Sequence, residues 1–135
     1  MRIDGHCHCG ALAWEAEIDP GGVYVCHCTD CQAISGGAGR WAVTVAAEDF
    51  RLLSGTPATY VKDTADSGRE SHQQFCGVCA APLHSSTPAD GHALLRLRLG
   101  TCRQRDRLPP RIELWCRSAQ GWARLPGAAE SREGQ

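Results

Sequence analysis

The stretch Cys26-His27-Cys28-Thr29-Asp30-Cys31 places three thiols within six residues. Zinc is the ion that most readily gathers several soft sulfur ligands. A closed structural zinc site uses four protein ligands, whereas a catalytic site typically uses three and leaves a position for water or substrate. The sequence therefore predicts an open metal site on Cys26, Cys28 and Cys31, and the rest of the chain holds that site in place.

Two cysteine pairs lie on either side of this stretch, Cys7 with Cys9 and Cys76 with Cys79. The later pair has the CxxC spacing of half a four-cysteine zinc site and needs a second pair. If Cys7 and Cys9 supply the second pair, every clustered cysteine is a ligand, and Cys26, Cys28 and Cys31 (the triple) form a separate site. If the triple joins the later pair instead, five thiolates compete for four positions. We prefer the first partition, which predicts two zinc ions per chain.

The four-cysteine site is expected to be structural, because its two halves are far apart in the sequence. Metal binding there ties the first strand to a later hairpin and can contribute on the order of ten kcal/mol to folding. The triple could also be structural, with a fourth ligand from His27, His72, His84, Asp30 or another cysteine. His27 is a poor candidate, since a residue between two ligands points the opposite way in an extended segment. An iron–sulfur cluster, which usually uses four cysteines, ranks third.

Length and composition indicate one soluble domain. The chain has 135 residues and a formal charge of −1, so nothing suggests a nucleic-acid or membrane surface. The N-terminus has no apolar signal run, and nine cysteines in tight clusters are typical of metal ligation in a reducing compartment. We therefore expect a cytoplasmic protein with a single zinc domain over residues 1–126 and a disordered tail over residues 127–135.

Short alternating runs predict a mainly β chain with little helix. Residues 11–18 show the pattern most clearly, with Leu12, Trp14, Ala16 and Ile18 on one face. A short helix is expected over Thr29–Ser35, capped by Thr29 or Asp30. Residues 94–99 alternate leucines with Arg96 and Arg98, which predicts a solvated basic face. The remaining predicted strands cover residues 23–25, 41–46, 50–53, 59–61, 71–75 and 112–115.

Three motifs in this order carry a family resemblance: Gly5-His6-Cys7-His8-Cys9-Gly10-Ala11-Leu12, then Cys26-His27-Cys28-Thr29-Asp30-Cys31-Gln32-x-x-Ser35-Gly36, then Phe75-Cys76-x-x-Cys79. They resemble the glutathione-dependent formaldehyde-activating (GFA) family, and the late Ile112-x-x-Trp115, Ser118 and Trp122 are similar to its closing region. The resemblance implies an Mss4-like fold of small twisted antiparallel sheets with zinc-binding turns. One departure is Ala80, which stands where the family usually has glycine.

The resemblance also implies the activity, condensation of formaldehyde with glutathione by a carbon–sulfur lyase. It implies a structural zinc on Cys7, Cys9, Cys76 and Cys79 and a second zinc on Cys26, Cys28 and Cys31. The resulting hypothesis is that the second zinc lowers the pKa of a small-molecule thiol, which attacks an aldehyde carbon. Arg40 could bind a substrate carboxylate, and His27 or Asp30 could move a proton.

Two other classes of function remain open at this stage. A methionine sulfoxide reductase-like enzyme would use Cys116 as its reactive thiol and Cys102 as the resolving thiol. A non-catalytic zinc scaffold would bind a protein partner through Trp41, Trp115 and Trp122.

Overall fold

Short strands joined by tight turns make up most of the chain, and the computed structural model describes all 135 residues. The single α-helix, α1, covers Thr29–Ser35. The strands are β1 (Arg2–His6), β2 (Ala13–Glu17), β3 (Val23–Cys26), β4 (Arg40–Ala46), β5 (Phe50–Ser54), β6 (Ala58–Lys62), β7 (Ser71–Phe75), β8 (Pro82–Ser86), β9 (Leu94–Arg98), β10 (Ile112–Leu114) and β11 (Glu130–Ser131). No helix has the length and apolar character that crossing a membrane requires.

The strands form two sheets, which confirms the predicted mainly β class. The smaller sheet has the order β1-β2-β5, and the larger has the order β11-β10-β3-β4-β9-β8-β7-β6. All pairs are antiparallel except at one end of the larger sheet, where β10 runs parallel to both β3 and β11. The sheets are thus mainly antiparallel, as expected, and the two parallel pairs at this edge are the exception.

The main hydrophobic core contains residues from both sheets, and β2 contributes its predicted apolar face. Leu12, Trp14, Ala16 and Ile18 are at most 5% exposed. Burying four such side chains contributes about 1.5 to 3 kcal/mol for each large one. Trp14 also explains why residue 5 is glycine, since a Cβ on Gly5 would lie 2.5 Å from the indole ring. Close packing of β1 on this tryptophan therefore requires the residue without a side chain.

Helix α1 covers the predicted residues, but its N-cap differs from the prediction. The cap is Cys28, whose Sγ accepts a hydrogen bond from the backbone N–H of Cys31 at 3.3 Å. Thr29 and Asp30 instead lie inside the first turn. Gly36 ends the helix in the left-handed conformation, with φ of 69°. A thiol of the predicted metal cluster therefore also sets the start of the helix.

Two further expectations differ from the structure. Arg98 was expected on a solvated face but is only 6% exposed, and its guanidinium donates to Gln73 Oε1 at 2.8 Å. The segment 127–135, expected to be a disordered tail, contains β11. This segment also bonds to the two residues that follow β10. The backbone N–H of Trp115 donates to Gly134 O and that of Cys116 donates to Arg132 O, both at 2.9 Å.

Candidate metal centres

The structure brings Cys7, Cys9, Cys76 and Cys79 together, with all four sulfur atoms within 4.8 Å of one another. Cys9 Sγ lies 3.6 Å from Cys7 Sγ and 3.7 Å from Cys76 Sγ. A tetrahedral zinc with Zn–S bonds of about 2.3 Å separates its sulfur ligands by about 3.8 Å. The observed separations therefore fit four ligands around one ion, and they are far too long for disulfides, which need about 2.05 Å.

Two tight turns present these thiols. In the first, Gly10 is left-handed with φ of 82°, and the Leu12 N–H donates to Cys7 Sγ at 3.2 Å. In the second, Ala80 takes the left-handed conformation with φ of 62°. Backbone N–H groups, first that of Ala81, lower the pKa of Cys79 to about 6. Ala80 thus adopts the backbone that a glycine would favour, and the turn still points amides at sulfur.

The second cluster joins Cys26, Cys28 and Cys31, again within 4.8 Å of one another. Cys26 is the last residue of β3, Cys28 caps α1 and Cys31 lies in its first turn. Cys26 and Cys31 are 5% and 3% exposed, whereas Cys28 is half-buried. The cluster is therefore closed on the protein side and open on the side of Cys28.

The thiols of this cluster favour a negative charge on Cys28. Hydrogen bonds from Cys26 and Cys31, together with the positive charge of Arg40, lower the pKa of the Cys28 thiol. The same hydrogen bonding to Cys28 raises the pKa of Cys26. Soft thiol donors held close together, one of them readily ionised, are the donor set that zinc prefers. The residues present therefore fit a zinc ion.

None of the histidines or carboxylates considered as a fourth ligand joins the three thiols. His27 points away, with Nε2 3.1 Å from Glu113 Oε1. Asp30 Oδ2 lies 2.6 Å from Lys62 Nζ. His72 pairs with Glu70, and the ring of His84 packs against Phe50 with centroids 5.1 Å apart.

A cavity of about 690 Å³ opens beside the triple, and all three of its cysteines line it. Asp30, Lys62 and Arg40 line it as well. Arg40 is the cross-strand partner of Cys26 in the β3–β4 pair, so both side chains lie on the same face of the sheet. The arginine is half-buried, and its Nε has neither solvent exposure nor a hydrogen-bond partner. Arg40, a candidate for binding a substrate carboxylate, therefore lies in the same cavity as the three thiols.

A buried network that the sequence analysis missed supports the triple. Glu113 is 1% exposed and accepts hydrogen bonds from His27, Arg124, Leu125 N–H and Ser131. Burial raises the pKa of this carboxyl, but these donors outweigh it and lower the pKa to about 2. A single glutamate in a short strand gives no sequence signal, because such residues are usually exposed.

Gln32 adds a second link between α1 and the end of the chain. Its Nε2 donates to the carbonyl oxygens of His27 at 2.7 Å and Ser118 at 2.9 Å. The loop that carries the triple is therefore held at two points, by Glu113 of β10 and by Ser118, which follows β10.

The two remaining cysteines belong to neither thiol cluster, whereas Trp115 packs beside Cys26 and Cys31 and lines the cavity. Cys102 is fully buried beside Gly5, whereas Cys116 follows β10, so the structure does not bring a reactive and a resolving thiol together. Trp41 donates its indole N–H to Leu108 O at 3.1 Å, and Trp115 packs under Arg117. Trp122 is 81% exposed, whereas Trp41 and Trp115 are partly buried.

Comparisons with known proteins agree with this arrangement. The model of a family described as "Glutathione-dependent formaldehyde-activating enzyme" matches residues 2–118. A structural-genomics crystal structure of a Rhodobacter sphaeroides protein has a TM-score of 0.61 at 21% sequence identity, over 82% of this chain and 97% of that chain. At this identity the likeness shows the fold alone. A search of curated proteins found no match.

Proposed function

The chain belongs to the glutathione-dependent formaldehyde-activating family, and we propose that it is a zinc-dependent carbon–sulfur lyase. In the proposed reaction a thiol adds to an aldehyde such as formaldehyde. The new C–S bond forms while the thiol proton passes to the carbonyl oxygen, giving an S-hydroxymethyl adduct, and the reverse reaction splits it. The cluster of Cys26, Cys28 and Cys31, open to a cavity, is the observation that carries this proposal.

We assign the two clusters different roles. Cys7, Cys9, Cys76 and Cys79 offer four sulfur ligands, which fills the coordination of a structural zinc. The triple offers three sulfur ligands, which leaves one coordination position of a catalytic zinc open for a substrate thiol or water. Zinc in such a site supplies a thiophilic Lewis acid that lowers the pKa of a substrate thiol. Because seven clustered thiols must stay reduced, we place the protein in the cytoplasm.

The size of the cavity favours a thiol larger than the aldehyde. A volume of about 690 Å³ lies within the range of sites that hold drug-sized ligands, of about 300 to 1,000 Å³. A peptide thiol such as glutathione therefore has room beside the triple, with formaldehyde as the smaller partner.

We assign different roles to the two candidate residues for proton transfer. His27 is 1% exposed, and its Nε2 faces Glu113 instead of the cavity. Asp30 lines the cavity and pairs with Lys62. Of the two, Asp30 is the residue that can reach a proton of the substrate, and His27 acts in positioning the loop.

Metal content and exchange kinetics together test the proposal. We expect two zinc ions per chain in the wild type, one in Cys28→Ser, and two in the control Cys116→Ser, which changes a buried cysteine outside both clusters. NMR exchange spectroscopy with ¹³C-formaldehyde and glutathione should show accelerated adduct exchange with the wild type and the control only. Unchanged zinc content and unchanged exchange in Cys28→Ser would refute the proposal.

A further inference from the structure

Residues 119–135 follow the part of the chain that the family model matches, which ends at residue 118. None of these residues is buried, and none packs into either hydrophobic cluster. Their only regular elements are a 3-10 turn over Gly121–Ala123 and the two-residue strand β11. Segments with little buried apolar surface and exposed hydrogen bonds open at a low free energy. This segment can therefore open while the core stays folded.

The polar contacts of this segment converge on the buried carboxylate of Glu113. Arg124 Nε donates to it at 3.2 Å, and the Leu125 N–H and Ser131 Oγ each donate at 3.0 Å. The one other partner of the carboxylate is His27, whose Nε2 lies 3.1 Å from Oε1. Glu113 therefore joins residues 119–135 on one side to the loop of the triple on the other.

Other contacts of the segment also lead to the three-cysteine site. The Arg132 N–H donates to Glu113 O at 2.8 Å, and Gln120 Nε2 donates to Oε1 of Gln32, in α1, at 3.4 Å. Arg132 and Gln135 line the cavity beside the triple. None of the hydrogen bonds of the segment, and not its ion pair to Glu113, reaches the four-cysteine site. The segment is thus coupled to one of the two metal centres only.

We propose that residues 119–135 form a clasp that controls how tightly the three-cysteine site holds its metal. While the clasp is closed, its donors fix Glu113, and Glu113 fixes His27 between two of the thiols. When the clasp opens, Glu113 is exposed to water and keeps no fixed donor except His27, so the loop of the triple becomes free to move. Groups that orient metal ligands from outside the coordination sphere change metal affinity by about 10- to 100-fold. The inference rests on the zinc site of the proposed function and adds a positioning element to it.

Two side chains of the clasp can be changed without touching the core. The side chain of Arg124 is 43% exposed, and Ser131 is exposed as well. Removal of either side chain takes one partner from Glu113 and leaves residues 1–118 unaltered. Arg124 also brings a positive charge to the carboxylate, and hydrogen bonds between charged groups contribute more than neutral ones. Loss of Arg124 should therefore have the larger effect.

Zinc release from the fully loaded protein to a colorimetric chelator tests the clasp. The phase of release that is absent from Cys28→Ser reports the triple, and the remaining phase reports the four-cysteine site. We expect Arg124→Gln to speed release from the triple about tenfold and Ser131→Ala about threefold, with the other phase changed less than about twofold. Ser131→Thr keeps the hydroxyl and should restore the wild-type rate. The control Arg2→Gln, which breaks the exposed pair with Glu15, should change neither phase.

The outcomes separate the clasp from the proposed function. A wild type that binds one zinc ion, or a Cys28→Ser protein that loses none, contradicts the proposed function. Two bound zinc ions whose release is unchanged in Arg124→Gln and in the double variant with Ser131→Ala overturn the clasp alone. Equal acceleration of both phases also overturns it, because the segment would then stabilise the whole fold instead of one site. Should Arg124→Gln fail to fold, Ser131→Ala and Ser131→Thr decide.

Discussion

His27 and Glu113 form a fully buried pair that joins the loop of the three-cysteine cluster to β10. His27 Nε2 lies 3.1 Å from Glu113 Oε1, and each side chain is 1% exposed. Because His27 lies between Cys26 and Cys28, its contact with Glu113 fixes the backbone position of both cysteines. Alternation along an extended segment explains the arrangement, since it directs the two thiols to one side and the imidazole to the other.

Replacing Glu113 should be strongly destabilising. Glu113→Gln removes the charge that accepts hydrogen bonds from His27 and Arg124, and breaking a buried pair of this kind costs about 3 to 5 kcal/mol. The matched control is Glu15→Gln, whose partners Arg2 and Arg51 are exposed and whose loss should cost at most about 1 kcal/mol. Urea denaturation of the zinc-loaded proteins measures both values. Equal losses would contradict a special role for the buried pair.

His84 should make the fold sensitive to mild acid. Burial, and to a smaller extent the charge of Arg98, lowers the pKa of His84 to about 4. An unfolded chain binds this proton near pH 6.5, so stability falls as the pH drops from about 6.5 to 4, by up to about 3 kcal/mol. His84→Leu should remove this dependence, and it also removes a buried nitrogen without a partner. Denaturation at pH 7 and pH 4.5 compares the two proteins, and parallel losses would show that His84 contributes nothing.

Ala80→Gly should stabilise the four-cysteine turn. Ala80 has φ of 62°, where a residue with a Cβ is strained by about 1 to 2 kcal/mol, whereas the extra freedom of glycine in the unfolded chain costs less than 1 kcal/mol. The net gain should be about 1 kcal/mol. The converse change, Gly10→Ala, should cost a similar amount, because Gly10 has φ of 82° although its Cβ would meet nothing within 4 Å. Thermal unfolding of both variants checks the opposite signs.

The two clusters should respond differently to the loss of one thiol. Cys76→Ser removes a ligand that lies in the main core at 1% exposed, so we expect loss of the cooperative fold along with its zinc. Cys28→Ser removes the half-buried ligand of the open cluster and should leave a folded protein with one zinc ion. Circular dichroism and metal analysis of both variants make the comparison. A well-folded Cys76→Ser protein would show that the four-cysteine site is not the one that supports the fold.

The sequence predicted those parts of the protein whose pattern is local. The face of Leu12, Trp14, Ala16 and Ile18 follows from simple alternation, and ligand counting divided the cysteines as the structure does. Strand β8 was missed because it begins at Pro82 and carries His84 and two buried serines, so its composition resembles a loop. Its place between β7 and β9 depends on pairing, which overrides local propensity.

Burial of polar residues is the second feature that the sequence pattern does not predict. Arg98 was expected on a solvated face, but it is 6% exposed and bonds to Gln73 of β7, a contact that depends on the order of the strands in the sheet. Glu113 gives no sequence signal, since its five donor atoms come from segments that only the fold brings together. Such contacts are set by tertiary structure and leave no periodic trace in the chain.

The positions of the two thiol clusters along the chain, together with the pairing of β10 with β3, predict an order of assembly during synthesis. The four-cysteine cluster uses ligands from Cys7 to Cys79, so it can close before the last third of the chain has been made. The loop of the three-cysteine cluster receives its anchor only when β10 and Glu113 arrive. We therefore expect a nascent chain to gain its first metal early, whereas the open site matures last, once the slow pairing of distant segments is complete.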